Sequence, residues 1–206
     1  MNMNRMNKDK RLRNSRTALL RAFAHLAQTR CYEDIRVLDI VRQARVSRST
    51  FYEHFRSKDG ILSSSIAGPF AVLAGSIRPG AETAPLVDLL EHFWANRTLA
   101  RGLFLGSIRG KTVGVLVYQI EEILRSRSNG VRGPLLIPNR LAAVQIAESL
   151  LAPVIAWLLG ESRCAAHTLA GALPRAASAI MSALSAARTS SGSGGVTACR
   201  SSTSEH

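Results

Sequence analysis

The 206-residue chain carries 27 Lys and Arg against 14 Asp and Glu, a formal net charge of +13, and 46% of its residues are hydrophobic. Its three cysteines, Cys31, Cys164 and Cys199, are far apart and form no C-x-x-C pair, which argues against a zinc site or a disulfide framework and leaves ordinary thiols or, for one of them, a redox-sensing role. No H-E-x-x-H, G-x-S-x-G or Gly-rich phosphate loop occurs, so the chain does not read as an enzyme, and neither a metal nor a cofactor is expected.

The charge is uneven along the chain. Residues 1–59 hold 14 basic and 6 acidic side chains, a net +8 of the total. A local excess of that size attracts a polyanion, with binding that falls as salt rises; nucleic acid and an anionic membrane surface both meet that condition. Met1 to Leu12 is polar and charged, so no secretion signal is expected and the chain reads as cytoplasmic. Residues 1–9 read as a basic arm. Lys8, Lys10, Arg11, Arg13 and Arg16 sit in it or at the start of the next helix, placed either to follow phosphates and enter a minor groove or simply to solubilise the terminus. A first helix is expected from about Lys10 to Thr29, with Leu19, Phe23 and Leu26 on one face and Leu20, Ala24 and Ala27 beside them.

The segment Val37 to Leu62 is denser in signals than any other. Val37, Ile40, Val41 and Ala44 fall at i, i+3, i+4 and i+7, the stripe of a short amphipathic helix. Ser47 stands where the next helix needs an N-cap, and Val46 and Phe51 have the spacing of a hydrophobic staple across that cap. Phe51 and Phe55 then face inward. Arg48, Ser49 and Tyr52 form one outward strip, with Ser47, Thr50 and His54 beside it, all able to meet a phosphate or a base edge. Two short helices joined by a tight turn, the second presenting such a strip, describe a helix-turn-helix.

The run VSRSTFYEHFRSKDGIL, preceded by IRVLDIVRQA, resembles the DNA-binding segment of the TetR/AcrR family of bacterial transcriptional regulators over about Lys10 to Leu62. The resemblance implies that Arg48, Ser49 and Tyr52 contact bases or the adjacent backbone, and that Thr50, His54 and Lys58 contact phosphates. Two positions depart from the family's pattern. Arg45 occupies the turn position commonly taken by Gly or Asn; either the turn differs there or Arg45 bears left-handed strain of about 1 kcal/mol, and its charge would help hold DNA. Arg36 occupies the usual Ser or Thr cap of the first short helix, so Asp34 or solvent is expected to substitute.

Ser57 is placed to cap a fourth helix beginning at Lys58 and Asp59, which Gly68-Pro69 would break or bend. Helices are further expected over Pro85 to Asn96, Val113 to Arg127, about Asn139 to Leu159 and about Arg163 to Arg188. Gly130 to Pro138 reads as a loop and Gly160-Glu161-Ser162 as a divider. Pro153 and Pro174 should bend or shorten the last two helices. The most apolar stretch, Leu150 to Leu159, spans ten residues, short of the roughly 20 that cross a bilayer, so no membrane is expected. Thr189 to His206, rich in Ser and Gly, reads as a disordered tail.

The fold expected is all-α: a helix-turn-helix domain of three helices over 10–57 and a C-terminal helical bundle over 58–188. The apolar faces of the last two long helices exceed what one chain would bury. The resemblance implies that they pair with those of a second copy, so that two reading heads meet an inverted-repeat operator in double-stranded DNA. It also implies a small hydrophobic effector that moves the fourth helix and releases a repressor. His92, Phe93, Trp94, Phe104, Tyr118 and Trp157 are the candidate effector residues, with Gln119 as a second polar handle beside His92; residues at such spacing are more often plain core, which any bundle requires. An effector-independent DNA-binding dimer, or a basic protein-interaction module, is the alternative.

Overall fold

A computed structural model describes residues 3–128 and 135–185. Among them the chain forms nine α-helices and no strand: α1 Met3–Thr29, α2 Val37–Ala44, α3 Arg48–His54, α4 Lys58–Gly75, α5 Ala84–Ala95, α6 Arg97–Leu105, α7 Arg109–Ser128, α8 Asn139–Leu159 and α9 Ala166–Leu184. A 3-10 turn, Tyr32–Asp34, joins α1 to α2, and an isolated antiparallel bridge pairs Leu135 with Ser185. The class is all-α, as expected. Residues 130–134 of the expected loop, the end of the last expected helix at Arg188 and the tail from Thr189 to His206, with Cys199, lie outside the described residues.

The first helix starts at Met3, so residues 3–9, read as a basic arm, are helical and continuous with it. Met3 to Leu12 contains no Gly, Pro or β-branched residue to stop it. Further on, Leu19, Ala22, Phe23 and Leu26 are buried, and Ala24, expected beside that face, is exposed. The pattern i, i+3, i+4, i+7 therefore runs through Ala22. Ile40 and Val41 of α2 and Phe51 of α3 close over this face, giving a three-helix head. Arg36 has no acceptor side chain, and the Asp39 carboxylate takes its backbone N–H at 2.9 Å. The cap of α2 is thus supplied from inside the helix, not by Asp34.

Ser57 caps α4 by accepting the Gly60 N–H at 3.2 Å. The helix then runs unbroken through Gly68-Pro69 to Gly75. A proline inside a helix costs about 3 kcal/mol. Burial of Ile61, Leu62, Ile66, Phe70 and Leu73, each contributing about 1.5–3 kcal/mol, exceeds that cost. Gln119 of α7 also braces this stretch, its amide donating to the Ala67 carbonyl at 2.9 Å.

The broadest helix pairings are α7 with α8 and α4 with α7. The short helix α6 was not expected from the sequence; Leu99 with Leu103, and Ala100 with Phe104, give it an i, i+4 stripe whose second pair is buried. Pro153 and Pro174 lie inside α8 and α9 without ending either. Pro153 is exposed on the outer side of α8, while Leu150, Leu151, Val154, Trp157 and Leu158 hold both flanking turns in the core. A left-handed Gly160, φ 80°, ends α8. Taken whole, α8 is long and apolar enough by length and composition to cross a membrane, which the ten-residue reading understated. Half of its apolar window is buried inside the bundle, as in any core helix.

Candidate nucleic-acid interface

The helix-turn-helix is set by three local devices. Arg45 takes up the left-handed backbone, φ 54° and ψ 43°, the only non-glycine residue at positive φ among the described residues. The turn is therefore the tight one, with Val46 N–H bonded back to the Val41 carbonyl at 3.1 Å, and Arg45 carries its strain. Ser47 then caps α3, its Oγ accepting the Thr50 N–H at 3.1 Å. Val46, half-buried ahead of the cap, and fully buried Phe51 complete the staple. Arg45→Gly is expected to raise stability by roughly 0.5–1 kcal/mol by relieving the strain, measured as a melting temperature higher by about 1–4 °C; an unchanged or lower value would show that the turn carries no strain.

Phe51 and Phe55 fix the roll of α3, their rings 5.7 Å apart in the core, with the Arg16 guanidinium 5.5 Å over Phe55. With these two inward, Arg48, Ser49 and Tyr52 emerge together on the solvent side, where the Arg48 guanidinium lies 5.8 Å over the Tyr52 ring. Arg45 and Ser47 are exposed beside them. The hydroxyls of Ser49 and Thr50 lie 2.7 and 2.8 Å from that of Ser47. A groove of about 660 Å³ separates this end of α3 from α1, and Arg11 and Ser15 form its far wall. The exposed cluster therefore offers two guanidiniums, two hydroxyls and a phenol, groups that donate to phosphate oxygens and base acceptors.

Three further expected residues are engaged within the chain. Thr50 is half-buried. His54 is half-buried with its Nε2 2.7 Å from the Ser15 hydroxyl, tying α3 to α1. Lys58 points away from the strip: its Nζ donates to the carbonyls of Tyr32 at 2.7 Å and Glu33 at 3.3 Å, 4.1 Å above the Tyr32 ring. What sequence reasoning missed is the partner group around Lys58. Asp59 accepts the Tyr32 hydroxyl and both ammonium contacts of Lys111 at 2.8 Å. Neither contact has a local signal, since Lys111 is 52 residues from Asp59.

The six candidate effector residues do not form one cavity. Phe93 and Phe104 are buried edge to face, 5.5 Å apart, and Phe70 stacks on Phe104. Tyr118 is 60% exposed on α7. His92 is exposed and lies 3.4 Å from the Asn96 side chain. Of the six, Trp94 and Trp157, 4.8 Å apart, share the wall of a cavity of about 600 Å³ that also takes in Glu91, Arg163 and Cys164. The Cys31 and Cys164 thiols are exposed. Among the described residues no three His, Cys, Asp or Glu side chains gather as a metal site would require.

The sequence profile of the bacterial regulatory proteins of the tetR family matches residues 19–64, the span from the buried face of α1 into α4. No curated protein matches the chain. Among solved structures, a TetR transcriptional regulator from Streptococcus agalactiae 2603V is 24% identical, with 84% of this chain and 98% of that one aligned and a TM-score of 0.54. The dihydroxyacetone kinase operon activator DhaS is 19% identical over the same shares, with a TM-score of 0.51. At these identities the likeness is one of fold.

Proposed function

Because residues 19–64 match the tetR family of bacterial regulatory proteins, we propose that this chain is a DNA-binding transcriptional regulator of that family and not an enzyme, a homodimeric repressor that reads an inverted-repeat operator and is released by a small hydrophobic effector. The observation that carries the reading is the strip of Arg48, Ser49 and Tyr52, held outward by the buried Phe51 and Phe55 on the opposite face of α3. A helix of that form enters a major groove with its polar face toward the base edges. Ser47 and Arg45, beside the strip, take backbone-facing positions, as do Thr50, His54 and Lys58 once their intramolecular partners give way. Such a reader works where bacterial DNA is, in the cytoplasm. Repression follows most directly, since a dimer clamped over a promoter obstructs polymerase with no added contact surface.

Dimerisation is supported by what α8 and α9 leave uncovered. Leu141, Val144, Ala152 and Leu159 on α8 and Ala172, Ala176, Ala179 and Ala183 on α9 are all exposed, at spacings of three, four, seven or eight residues. A second copy would bury these stripes as a four-helix interface, the small alanines letting helices approach closely. For the effector, the cavity at Trp94 and Trp157 is the supporting feature, being large enough for a small apolar ligand and walled by two indoles.

Three measurements test the reading. Footprinting over genomic fragments is expected to protect one short inverted repeat, and equal, salt-sensitive binding of all DNA would sink it in favour of a non-specific basic module. Val144→Asp with Ala176→Glu is expected to shift the chain from dimer to monomer in sedimentation and to abolish that footprint; a dimer that survives both substitutions places the interface elsewhere. Thermal-shift screening with small hydrophobic compounds reads the effector, since a ligand of the folded state raises the melting temperature. Silence across a broad library would favour an effector-independent dimer.

A further inference from the structure

Away from the reading strip, charged groups from two helices converge on one tyrosine. Lys111, in the first turn of α7, places its Nζ 2.8 Å from both carboxylate oxygens of Asp59 in the first turn of α4. The same carboxylate accepts the hydroxyl of Tyr32, from the 3-10 turn ahead of α2. Lys58 lies 4.1 Å and Lys111 5.6 Å from the centroid of the Tyr32 ring, and Phe23 of α1 meets its edge. Burial, and then the bond to Asp59, push the Tyr32 hydroxyl above its ordinary pKa. Lys111 first, and then Tyr32, hold the Asp59 carboxyl below the usual range. Both shifts keep a protonated phenol on an ionised carboxylate throughout the neutral range.

The position of this group gives it leverage. Tyr32 lies just ahead of α2 and Asp59 just after α3, so the network grips the helix-turn-helix at both ends, and Lys111 ties it to the C-terminal bundle. On the neighbouring side of Tyr32 the joint is open. A cleft of about 510 Å³ separates Thr29, Arg30 and Cys31 of the head from Thr98, Gly102 and Ser107 of the bundle. Apolar packing is thus interrupted beside this joint, and a rotation of the head about α4 meets its polar restraint in the Lys111–Asp59–Tyr32 chain.

We propose that Lys111 is a positioning residue for DNA binding: through Asp59 and Tyr32 it fixes the orientation of the reading head on the C-terminal bundle, and hence the spacing of the two heads. This rests on the two-headed reading above. A head free to rotate presents the right spacing for only a fraction of the time, and the apparent dissociation constant rises by the inverse of that fraction. The pair is half-exposed, so its direct effect on global stability is small. Its effect on operator binding is applied twice in a dimer.

The test uses the full chain carrying Lys111→Met, with Lys111→Arg as the conservative variant. Head orientation is read by pulsed EPR between nitroxides attached through Gln43→Cys on α2 and Ser126→Cys on α7, in a background of Cys31→Ser, Cys164→Ser and Cys199→Ser, with labelled chain diluted in unlabelled. Operator binding is read in parallel on DNA carrying one half-site, the whole repeat, and the repeat with one base pair added or removed. Lys111→Met is expected to broaden the distance distribution, weaken whole-operator binding by roughly fivefold, flatten the preference for spacing and leave half-site affinity and melting temperature unchanged. Lys111→Arg is expected to restore the distribution and the spacing preference. An unchanged distribution in Lys111→Met overturns the proposal, and so does an equal loss on the half-site, which would make Lys111 a phosphate contact. Broadening in a protein that recognises no inverted repeat upholds the restraint and sinks the two-headed reading instead.

Discussion

Replacing Arg48 or Tyr52 by Ala is expected to weaken binding of the specific operator by roughly 1–3 kcal/mol each, about a five- to 150-fold loss, while folding is unaffected. Both side chains are exposed on α3, and truncating them leaves the helix cap at Ser47 and the staple at Val46 and Phe51 in place. The two losses should not add fully, because the Arg48 guanidinium lies over the Tyr52 ring and each side chain helps to place the other. Fluorescence anisotropy titrations of specific and unrelated duplexes at several salt concentrations provide the measurement. A residue that reads bases lowers specific binding more than non-specific binding. An equal loss on all sequences, with a salt slope flatter by about one unit, would instead assign Arg48 to a phosphate.

Phe51→Ala, one position away on the same helix, is expected to do the reverse. Phe51 is fully buried between the Phe55 and Tyr52 rings and the core of the head, and truncating such a side chain costs about 3–5 kcal/mol in lost burial and residual cavity. That is a large fraction of the 5–15 kcal/mol by which domains are usually stable. Equilibrium urea unfolding should show the loss directly, and DNA affinity should fall for every sequence because less of the head is folded. A Phe51→Ala protein of near-native stability but altered sequence preference would mean that α3 is rolled by about a quarter turn from its position here, with Phe51 in the groove.

The contrast between neighbouring residues 51 and 52 is also where the sequence is most legible. A seven-residue helix with a Ser cap, a staple and two phenylalanines four apart has only one roll that buries both rings, so the outward strip follows from local spacing. For Arg45 the sequence leaves a different turn or a left-handed residue open, and the structure selects the second. Legibility fails where the deciding partner is far away in the chain. The Pro69, Pro153 and Pro174 helices continue because buried neighbours from other helices offset a missing hydrogen bond, which no local rule counts. The cap of α2 comes not from upstream of Arg36 but from Asp39, three residues downstream. The candidate effector aromatics share helical spacing with every core residue, and that spacing does not separate the packed Phe93 and Phe104 from the cavity-lining Trp94 and Trp157.

For this protein, then, residue order alone carries the reading helix and its inward and outward faces, because those depend on contacts within about five residues. The uninterrupted proline helices, the convergence of Tyr32, Asp59 and Lys111, and the sorting of aromatics between core and cavity belong to the tertiary structure. Each is settled by side chains brought together from distant parts of the chain, and their free energy exists only once the helices have packed.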